Sequence, residues 1–502
     1  MIAREDVPPA PPPRPAAVPR PQRLHPLTFV VGAVREMVAL VGAGATGLLV
    51  GGLSTAFYFT LAGLVFGLAF HAATWATFTY TLHDDRIELR RALVGRSVKT
   101  IPRERIRGVD VSASLGHRLL GLAVVQIDAG ADGGEGTLNA VSRQEAARLR
   151  RVLLSRDAAA AGPPGATALR PPRRTLARMR RRWYVYAPLS GAYLLTPFAL
   201  AGSLLSALYN LGDDLGLVTE DRLTRLGHDV IGLPAAAVLA TAAAVLLLMP
   251  VMSVIVFTLF NWDFTVYARD GSVIAERGLV TRRSVSLERR RIRGVEFADN
   301  PFERLARVVR VNALVTGLGD AAHRGRLLPA APWGTAQDLT ARVLGPVPAP
   351  LLPHPRAARG RRVARATAPP AALGALSLAA GQPLVAAGCA VLACCAVPIG
   401  LDRYRQLGHA RDALRLTSRS GSLRRRQVVV DNRAIVGWRL RQTLFQRRLG
   451  LATLIAAVGA GDGGYPILDL AEDDAVALAT GITPAWLEPF LDHPPSPPRK
   501  AA

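Results

Sequence analysis

Arginine is the residue type through which this chain could do chemistry, because short arginine-rich runs recur along it. Two of these runs supply six candidate contact residues, namely Arg103, Arg105, Arg107, Arg289, Arg291 and Arg293. Guanidinium groups suit phosphate and carboxylate oxygens, so such runs are typical of surfaces that bind anionic lipid headgroups or acidic partners. In the first run, alternation along a strand would place the three arginines on one solvent-exposed face, with Ile106 pointing inward. The pattern therefore predicts a basic docking surface.

The arginine surplus has two interpretations. The 502-residue chain has 62 basic and 37 acidic residues and a formal net charge of +25. A surplus of this size indicates an anionic partner, either a lipid surface or nucleic acid. We exclude nucleic acid as a partner, because it would not account for the apolar blocks and no aromatic residues are interleaved for base stacking. Alternatively, the arginines are solvated charge that also marks membrane topology, and the sequence leaves this alternative open.

The residue pattern supports neither an enzyme active site nor a metal site. The glycine-rich stretches at 130–134 and 459–464 lack the lysine of a phosphate-binding loop and the spacing of a dinucleotide site. The three cysteines share one apolar stretch, and the nine histidines are scattered without ligand spacing. We therefore expect a protein with no enzymatic activity, no cofactor and no metal.

A repeated pair of motifs organises the chain. The glycine of the first motif lies 13 positions before the fourth residue of the second motif each time, at 108 and 121, 294 and 307, and 437 and 450. The structural glycines of this repeat are Gly108, Gly294, Gly437, Gly121 and Gly450. Internal repeats are decisive for architecture, so we predict one module in three copies. The first-motif glycine is expected to mark a bulge or a close approach within a strand.

Each copy reads as short strands followed by one helix. Alternation on both sides of a polar turn predicts a hairpin at 78–82 and 86–90, and Asp270-Gly271 is a strong hairpin turn in the second copy. Further strands are expected at 97–101, 284–287 and 427–430. Closing helices are expected from about Arg143 to Leu153, at 334–344 and at 470–480.

A hydrophobic block precedes each module. The blocks cover 37–73, then 184–208 with 230–260, and finally 371–401 with a break at Gly381-Gln382-Pro383. About 20 apolar residues cross a ~30 Å hydrocarbon core, so the first two blocks each predict a pair of helices. The third block predicts either two short helices or one kinked helix. Arginines flank the blocks but not the turns within them, which places both termini and all three modules in the cytoplasm.

This organisation resembles bacterial membrane proteins with pleckstrin-homology (PH)-like domains, of the YdbS/YdbT type. The residues that carry the resemblance are 101–110, read Ile-Pro-Arg-Glu-Arg-Ile-Arg-Gly-Val-Asp, with 118–122, and their second copy at 287–308. The third copy departs most, with Trp438 and Arg439 where the others have valine and an acid. The resemblance implies a bent antiparallel sheet closed by a C-terminal helix, and it implies no catalytic residues.

The predicted fold class is a multi-domain membrane protein, in which three transmembrane helical hairpins (about six helices) alternate with three small PH-like β modules. The expected segments are a disordered N-terminus 1–30, hairpin 31–75, module 76–156, basic linker 157–183, hairpin 184–261, module 262–345, linker 346–367, hairpin 368–401, module 402–490 and a disordered tail 491–502. We expect a bacterial inner-membrane scaffold, active in envelope maintenance or defence. Its modules would bind membrane lipids, partner proteins or a related membrane subunit. The alternative is a transporter or flippase, which the scarcity of polar groups within the spans disfavours.

Overall fold

The computed structural model describes residues 21–27, 55–92, 96–106, 108–129, 136–154, 174–214, 224–225, 234–269, 271–316 and 325–490. Several sequence predictions fall outside these residues, namely those for Arg107, Asp270, the glycine-rich 130–134, the first half of the first hydrophobic block and the tail 491–502. The chain divides into two units, Met1–Arg105 with Leu138–Val141, and Ile106–Thr137 with Ser142–Ala502.

The helices and strands follow the three copies of the motif. The first stretch contains β1 (Gln22–Arg23), α1 (Thr55–Thr77), β2 (Thr79–Leu82), β3 (Arg86–Arg91), β4 (Ser97–Pro102), β5 (Gly108–Ala113), α2 (Leu115–Leu119), β6 (Leu122–Asp128), β7 (Gly136–Ser142), α3 (Arg143–Leu154) and β8 (Arg174–Arg178). The second contains α4 (Gly191–Asp214), α5 (Ala235–Asn261), β9 (Thr265–Arg269), β10 (Ser272–Arg277), β11 (Arg282–Glu288), β12 (Ile292–Asp299), α6 (Pro301–Leu305), β13 (Val308–Val315), β14 (Arg326–Pro332) and α7 (Trp333–Val343). The third contains α8 (Arg356–Ala379), α9 (Pro383–Arg405), β15 (Gly408–Arg411), β16 (Arg415–Ser420), β17 (Arg425–Asp431), β18 (Ile435–Arg441), α10 (Leu444–Arg448), β19 (Leu451–Val458), β20 (Gly464–Ala471), α11 (Glu472–Thr480) and α12 (Pro484–Leu487).

The predicted strands and closing helices are confirmed. The hairpin of β2 and β3 pairs Tyr80 with Leu89, as the alternation of buried and exposed side chains requires. At the start of α3, the Glu145 N–H donates to the Ser142 hydroxyl at 3.2 Å, which satisfies a helix N-terminal donor. The third closing helix begins at Glu472, two residues later than predicted, because 470 and 471 still belong to β20.

The first unit is a small antiparallel sheet. Its strands lie in the order β1-β2-β3-β4, and α1 precedes β2. The apolar side chains of Phe78, Ile87 and Ile101 are buried. The sequence periodicity identified these apolar positions, but the polar Thr81 and Glu88 of the opposite alternation phase are buried as well.

Strands of successive copies share sheets in the second unit. One sheet contains β6-β5-β11-β10-β9-β8 and another contains β14-β13-β12-β17-β16-β15, each in that order. The late strands of one copy thus continue into the early strands of the next. The final strands form a separate sheet in the order β18-β19-β20.

The two cores of this unit also cross the copies. In the first core, Val429 of the third copy packs with Val295 and Leu339 of the second. In the second core, Leu314 of the second copy packs with Leu454 of the third. Burial of apolar side chains is the main stabilising term in folding, so neighbouring copies stabilise one another.

Apolar helices accompany the sheets. Three helices of the described chain are long and apolar enough to cross a membrane, namely Tyr58–Thr77, Ala235–Asn261 and Pro383–Arg405. A fourth candidate, Arg181–Leu189 with Tyr193–Asn210, is bent by 76°. The third block consists of two helices, α8 and α9, so the one-helix alternative is excluded. Gly381 has a φ of 71° at the turn between them, a conformation that favours glycine.

Candidate functional site

The first arginine run does not lie on a strand. Arg103–Arg105 form one turn of 3-10 helix, so the prediction that alternation aligns Arg103, Arg105 and Arg107 on one strand face is wrong. Pro102 is the last residue of β4, and proline has no N–H with which to continue a ladder. Arg105 is exposed and Ile106 is buried, as predicted, while Arg107 lies outside the described residues.

The second run is used largely within the protein. Arg289, Arg290 and Arg291 again form a 3-10 turn. The Arg289 guanidinium donates to two backbone carbonyl oxygens at the end of α7, at 3.0 and 3.3 Å, where positive charge is favourable. Arg291 donates to Glu288 at 2.6 Å, and Arg293 is half-buried in β12. Two of the three predicted contact residues in this copy therefore stabilise the module itself.

The first-motif glycine is a close-approach position where a neighbouring strand is present. A Cβ at Gly294 would collide with the Val429 carbonyl group, and the β12–β13 register shifts between Ile292 and Gly294. Gly437 sits at the same register shift in β18, but a Cβ there would meet open space. Gly108 of β5 pairs with Leu287 of β11, a strand of the second copy. The expectation of a bulge is thus confirmed for the second and third copies.

The second-motif position adopts a left-handed backbone in all three copies. Gly121 has a φ of 70° and Gly450 a φ of 62°. In the second copy the same position is occupied by Arg307, with a φ of 55°. Glycine takes this conformation at little cost, whereas other residues are strained there. The repeated glycine therefore reflects a backbone requirement of the turn after the short helix.

A groove lies between the start of α8 and the third copy, and its volume is about 1000 Å³. Its lining includes Arg356 and Arg365 of α8, Arg441 of β18, and the apolar side chains of Phe445 and Leu468. The three arginines are exposed and have no acidic partner among the described residues. Sequence analysis had not identified this site, although the arginines before the third hydrophobic block were its signal.

The buried carboxylate of Asp469 joins α8 to the third copy beside the groove. Asp469 is fully buried and accepts hydrogen bonds from Arg361 at 2.5 Å and Arg362 at 2.7 Å. The Gln446 amide of α10 donates to the same carboxylate at 2.7 Å. A paired, hydrogen-bonded charge is tolerated in a protein interior. The single charge of Asp469 offsets one of these two guanidinium charges, and the exposed arginines of α8 add to the positive charge of the groove.

The short helices after the first motif expose large apolar side chains. Leu119 of α2 and Leu305 of α6 are each 87% exposed, and Phe445 of α10 is 68% exposed. Beside Leu305, the Arg304 side chain pairs with Asp402 near the end of α9 at 3.0 Å. This contact places the apolar tip of α6 next to the end of an apolar helix. Such tips suit a membrane interface or a protein contact.

Metal ligation is not indicated for the residues that the structure describes. Among them, no three His, Cys, Asp or Glu side chains are grouped so as to hold an ion. Cys389 is buried in α9, Cys394 and Cys395 are exposed there, and all three are free thiols.

Repeated sheets closed by a helix, together with long apolar helices, define a membrane protein built from PH-like modules. The family model described as bacterial PH domain matches residues 28–157, 224–347 and 368–483, and the chain belongs to that family. It is similar to the UPF0699 transmembrane protein YdbT of Bacillus subtilis (strain 168), with 22% identity over 268 residues. The aligned part covers 49% of this chain and 51% of that relative, so the chain spans about half the relative's length. No solved structure matches the chain.

Proposed function

We propose that this protein is a non-enzymatic scaffold of the bacterial inner membrane, whose PH-like modules lie at the cytoplasmic face and hold anionic lipid. The groove beside α8 carries this proposal, because exposed arginines and apolar side chains line it together. The headgroup of an anionic lipid would meet the arginines, and its chains would lie against Phe445 and Leu468. Basic residues close to a membrane surface attract anionic lipid by about 1 kcal/mol each.

The position of the groove along α8 supports a lipid rather than a free anion. Arg365 immediately precedes the apolar part of α8, residues 366–379. Arg356 lies nine residues earlier in the helix, which corresponds to about 14 Å along the axis. The basic residues of α8 therefore extend from the start of its apolar segment toward its N-terminus, as contact with the headgroup region of a leaflet would require.

The shared sheets support a topology with all modules on one side of the membrane. Strand β5 pairs with β11 and β12 pairs with β17, and strands in one sheet cannot lie on opposite sides of a bilayer. The hairpin of α8 and α9 agrees, because Gly374 faces Cys389 near the turn and Gly400 faces Val363 at the other end. The arginines that flank the blocks favour the cytoplasmic side.

Titration with a short-chain anionic lipid tests the proposal on the full chain in a zwitterionic detergent. Dihexanoyl phosphatidylglycerol is added, and calorimetry measures its dissociation constant. The variant Arg356→Ser/Arg365→Ser removes the two exposed α8 charges of the groove. At about 1 kcal/mol for each arginine, it should weaken binding roughly thirtyfold.

Two comparisons make this experiment specific. The control variant Arg290→Ser/Arg433→Ser removes two exposed charges outside the groove and should bind the lipid as the wild type does. Dihexanoyl phosphatidylcholine tests the requirement for negative charge, and inorganic phosphate tests the requirement for acyl chains. Equal losses in the two double variants, or equal affinity for phosphate and lipid, would refute the lipid groove.

A further inference from the structure

Two junctions within this chain share one geometry. In the first, β5 runs antiparallel to β11, with Gly108 opposite Leu287 and Ser112 opposite Arg283. In the second, β12 runs antiparallel to β17 in the equivalent register, from Gly294 opposite Val430. At both junctions, the strand that follows the first-motif turn thus pairs with an early strand of the next copy.

An ion pair crosses each junction at the same place. Arg283 of β11 donates to Asp110 of β5 at 2.6 Å. At the second junction, Arg426 of β17 lies 3.2 Å from Glu296 of β12. Asp110 and Glu296 occupy equivalent positions of the repeat, two residues after the motif glycine. Arg283 and Arg426 are likewise equivalent to each other. The chain therefore uses one rule of charge complementarity to join its copies.

The third copy offers the same strand with only β19 as a neighbour among the described strands. Strand β18 is the equivalent of β5 and β12, and it lies at the end of the sheet β18-β19-β20 in the described part of the chain. Leu440 of β18 is 46% exposed, whereas Phe297, its equivalent in β12, is only 2% exposed. An unpaired edge with exposed apolar side chains is a template for a further strand.

The charges of this edge are reversed relative to the internal junctions. Arg439 stands where Asp110 and Glu296 stand in the other copies, two residues after Gly437. In a strand added to β18, the residue equivalent to Arg283 of the first junction would lie directly opposite Arg441 and diagonal to Arg439. Both side chains are exposed. A carboxylate at that position of an added strand would meet both guanidinium groups, since opposite and diagonal neighbours lie on one face.

We propose that β18 is a docking edge for an extended strand of a different protein. The strand pairs antiparallel with β18 and carries Asp or Glu at the position opposite Arg441. Main-chain hydrogen bonds supply affinity, and the carboxylate selects the partner. This inference goes beyond the lipid groove: the two sites share Arg441, but strand pairing at β18 does not require a bound lipid.

A second copy of this chain fits the edge poorly. The equivalent early strand of the first copy is β4, and in the common register it would place Ser97 opposite Arg441, without a carboxylate. It would also place Lys99 opposite Arg439, where the internal junctions have valine. Like charges directly opposite each other destabilise a strand pair. The edge thus disfavours continuation by a second copy while remaining open to an acidic strand.

Peptides cut from the chain's own junction test the proposal on full-length protein in detergent. The first probe is a fluorescent peptide of residues 281–289, and the second is the same peptide with Arg283→Glu. We expect the Glu peptide to bind wild-type protein at least tenfold more tightly than the unmodified one, by fluorescence anisotropy. The double variant Arg439→Glu/Arg441→Ser reproduces Asp110 and Ser112 of the first internal junction, so it should reverse this preference.

The site of binding is checked by photo-crosslinking from a benzoylphenylalanine at position 440. The expected crosslink reaches the peptide residue derived from Ser284, which follows from the pairing of Ser284 with Val111. The groove variant Arg356→Ser/Arg365→Ser should bind the Glu peptide as the wild type does, which separates this test from that of the lipid groove. Binding of neither peptide, an equal affinity for both, or a crosslink between positions 440 and 98 of two copies would overturn the proposal.

Discussion

The imidazole Nδ1 of His409 lies 3.3 Å from Nε2 of His354, and both rings are buried. His354 belongs to the segment before α8, and His409 belongs to β15. Burial and the neighbouring His409 lower the pKa of His354 to about 4. Burial also lowers the pKa of His409. The two rings therefore stay neutral at pH 7 and join the segment before α8 to the third copy.

Acidification should loosen this contact. Because the folded-state pKa of His354 lies below the unfolded value of 6.5, its contribution to stability is fully present above pH 6.5 and is lost as the pH falls toward 4. The shift corresponds to about 3 kcal/mol when it is complete. Thermal unfolding of the full chain between pH 7.5 and 4.5 should show this decline. The His354→Gln variant should show a flatter profile, and an unchanged pH dependence would contradict the assignment.

Two glycines of the repeat form a matched pair for mutation. Gly294→Val places a Cβ against the Val429 carbonyl group, and we expect a loss of roughly 1–3 kcal/mol, which is usual for a damaging change. Gly437→Val meets open space in β18, and valine suits a strand, so its effect should be small. Thermal unfolding of both variants measures the difference. Equal destabilisation would show that the clash is not the cause.

Alternation and the repeat spacing predicted most of the modules. The apolar positions of β2 and β3, the third strand of each copy and the closing helices follow from patterns that each segment carries by itself. The turn at Arg103–Arg105 could not be predicted in this way, because arginines at alternate positions fit both a strand and a 3-10 turn. Nor did the pattern reveal that Arg289 would bind the carbonyl groups at the end of α7, since that contact joins distant residues.

The shared sheets were hidden for a related reason. The pairing of β5 with β11 joins residues that are separated by more than 160 positions, with two apolar helices between them. Each strand taken alone has the same alternation whether its neighbour belongs to its own copy or to the next. The groove needed the same long-range information, because contacts between distant residues, such as those of Arg361 and Arg362 with Asp469, bring α8 and the third copy together.

That buried contact gives the third mutational prediction. Asp469→Asn removes the charge while keeping a side chain that tolerates the left-handed backbone at this position, where φ is 58°. Arg361 and Arg362 then lose their common counter-charge in a buried site, and a loss of about 3–5 kcal/mol is expected. The exposed Asp473→Asn serves as the control. Hydrogen exchange should show β20 and the start of α8 opening together in the first variant only.

The proposed topology can be tested with single cysteines. Cys389, Cys394 and Cys395 are first replaced by alanine, and cysteine is then introduced at Asp214, Asp338 or Asp462. In intact cells, a membrane-impermeant maleimide should label position 214, the loop end of α4. Positions 338 and 462 should be labelled only after permeabilisation, because the proposed topology places their modules on the cytoplasmic side.

The comparison of positions 338 and 462 is the stricter part of this test. The pairing of β12 with β17 requires the second and third modules to lie on the same side, whatever the orientation of the whole protein. Labelling of both positions from outside would reverse the orientation that the flanking arginines predict. Labelling of only one would be incompatible with a sheet shared by the two modules, and α8 with α9 could then not form a hairpin that returns to the same side.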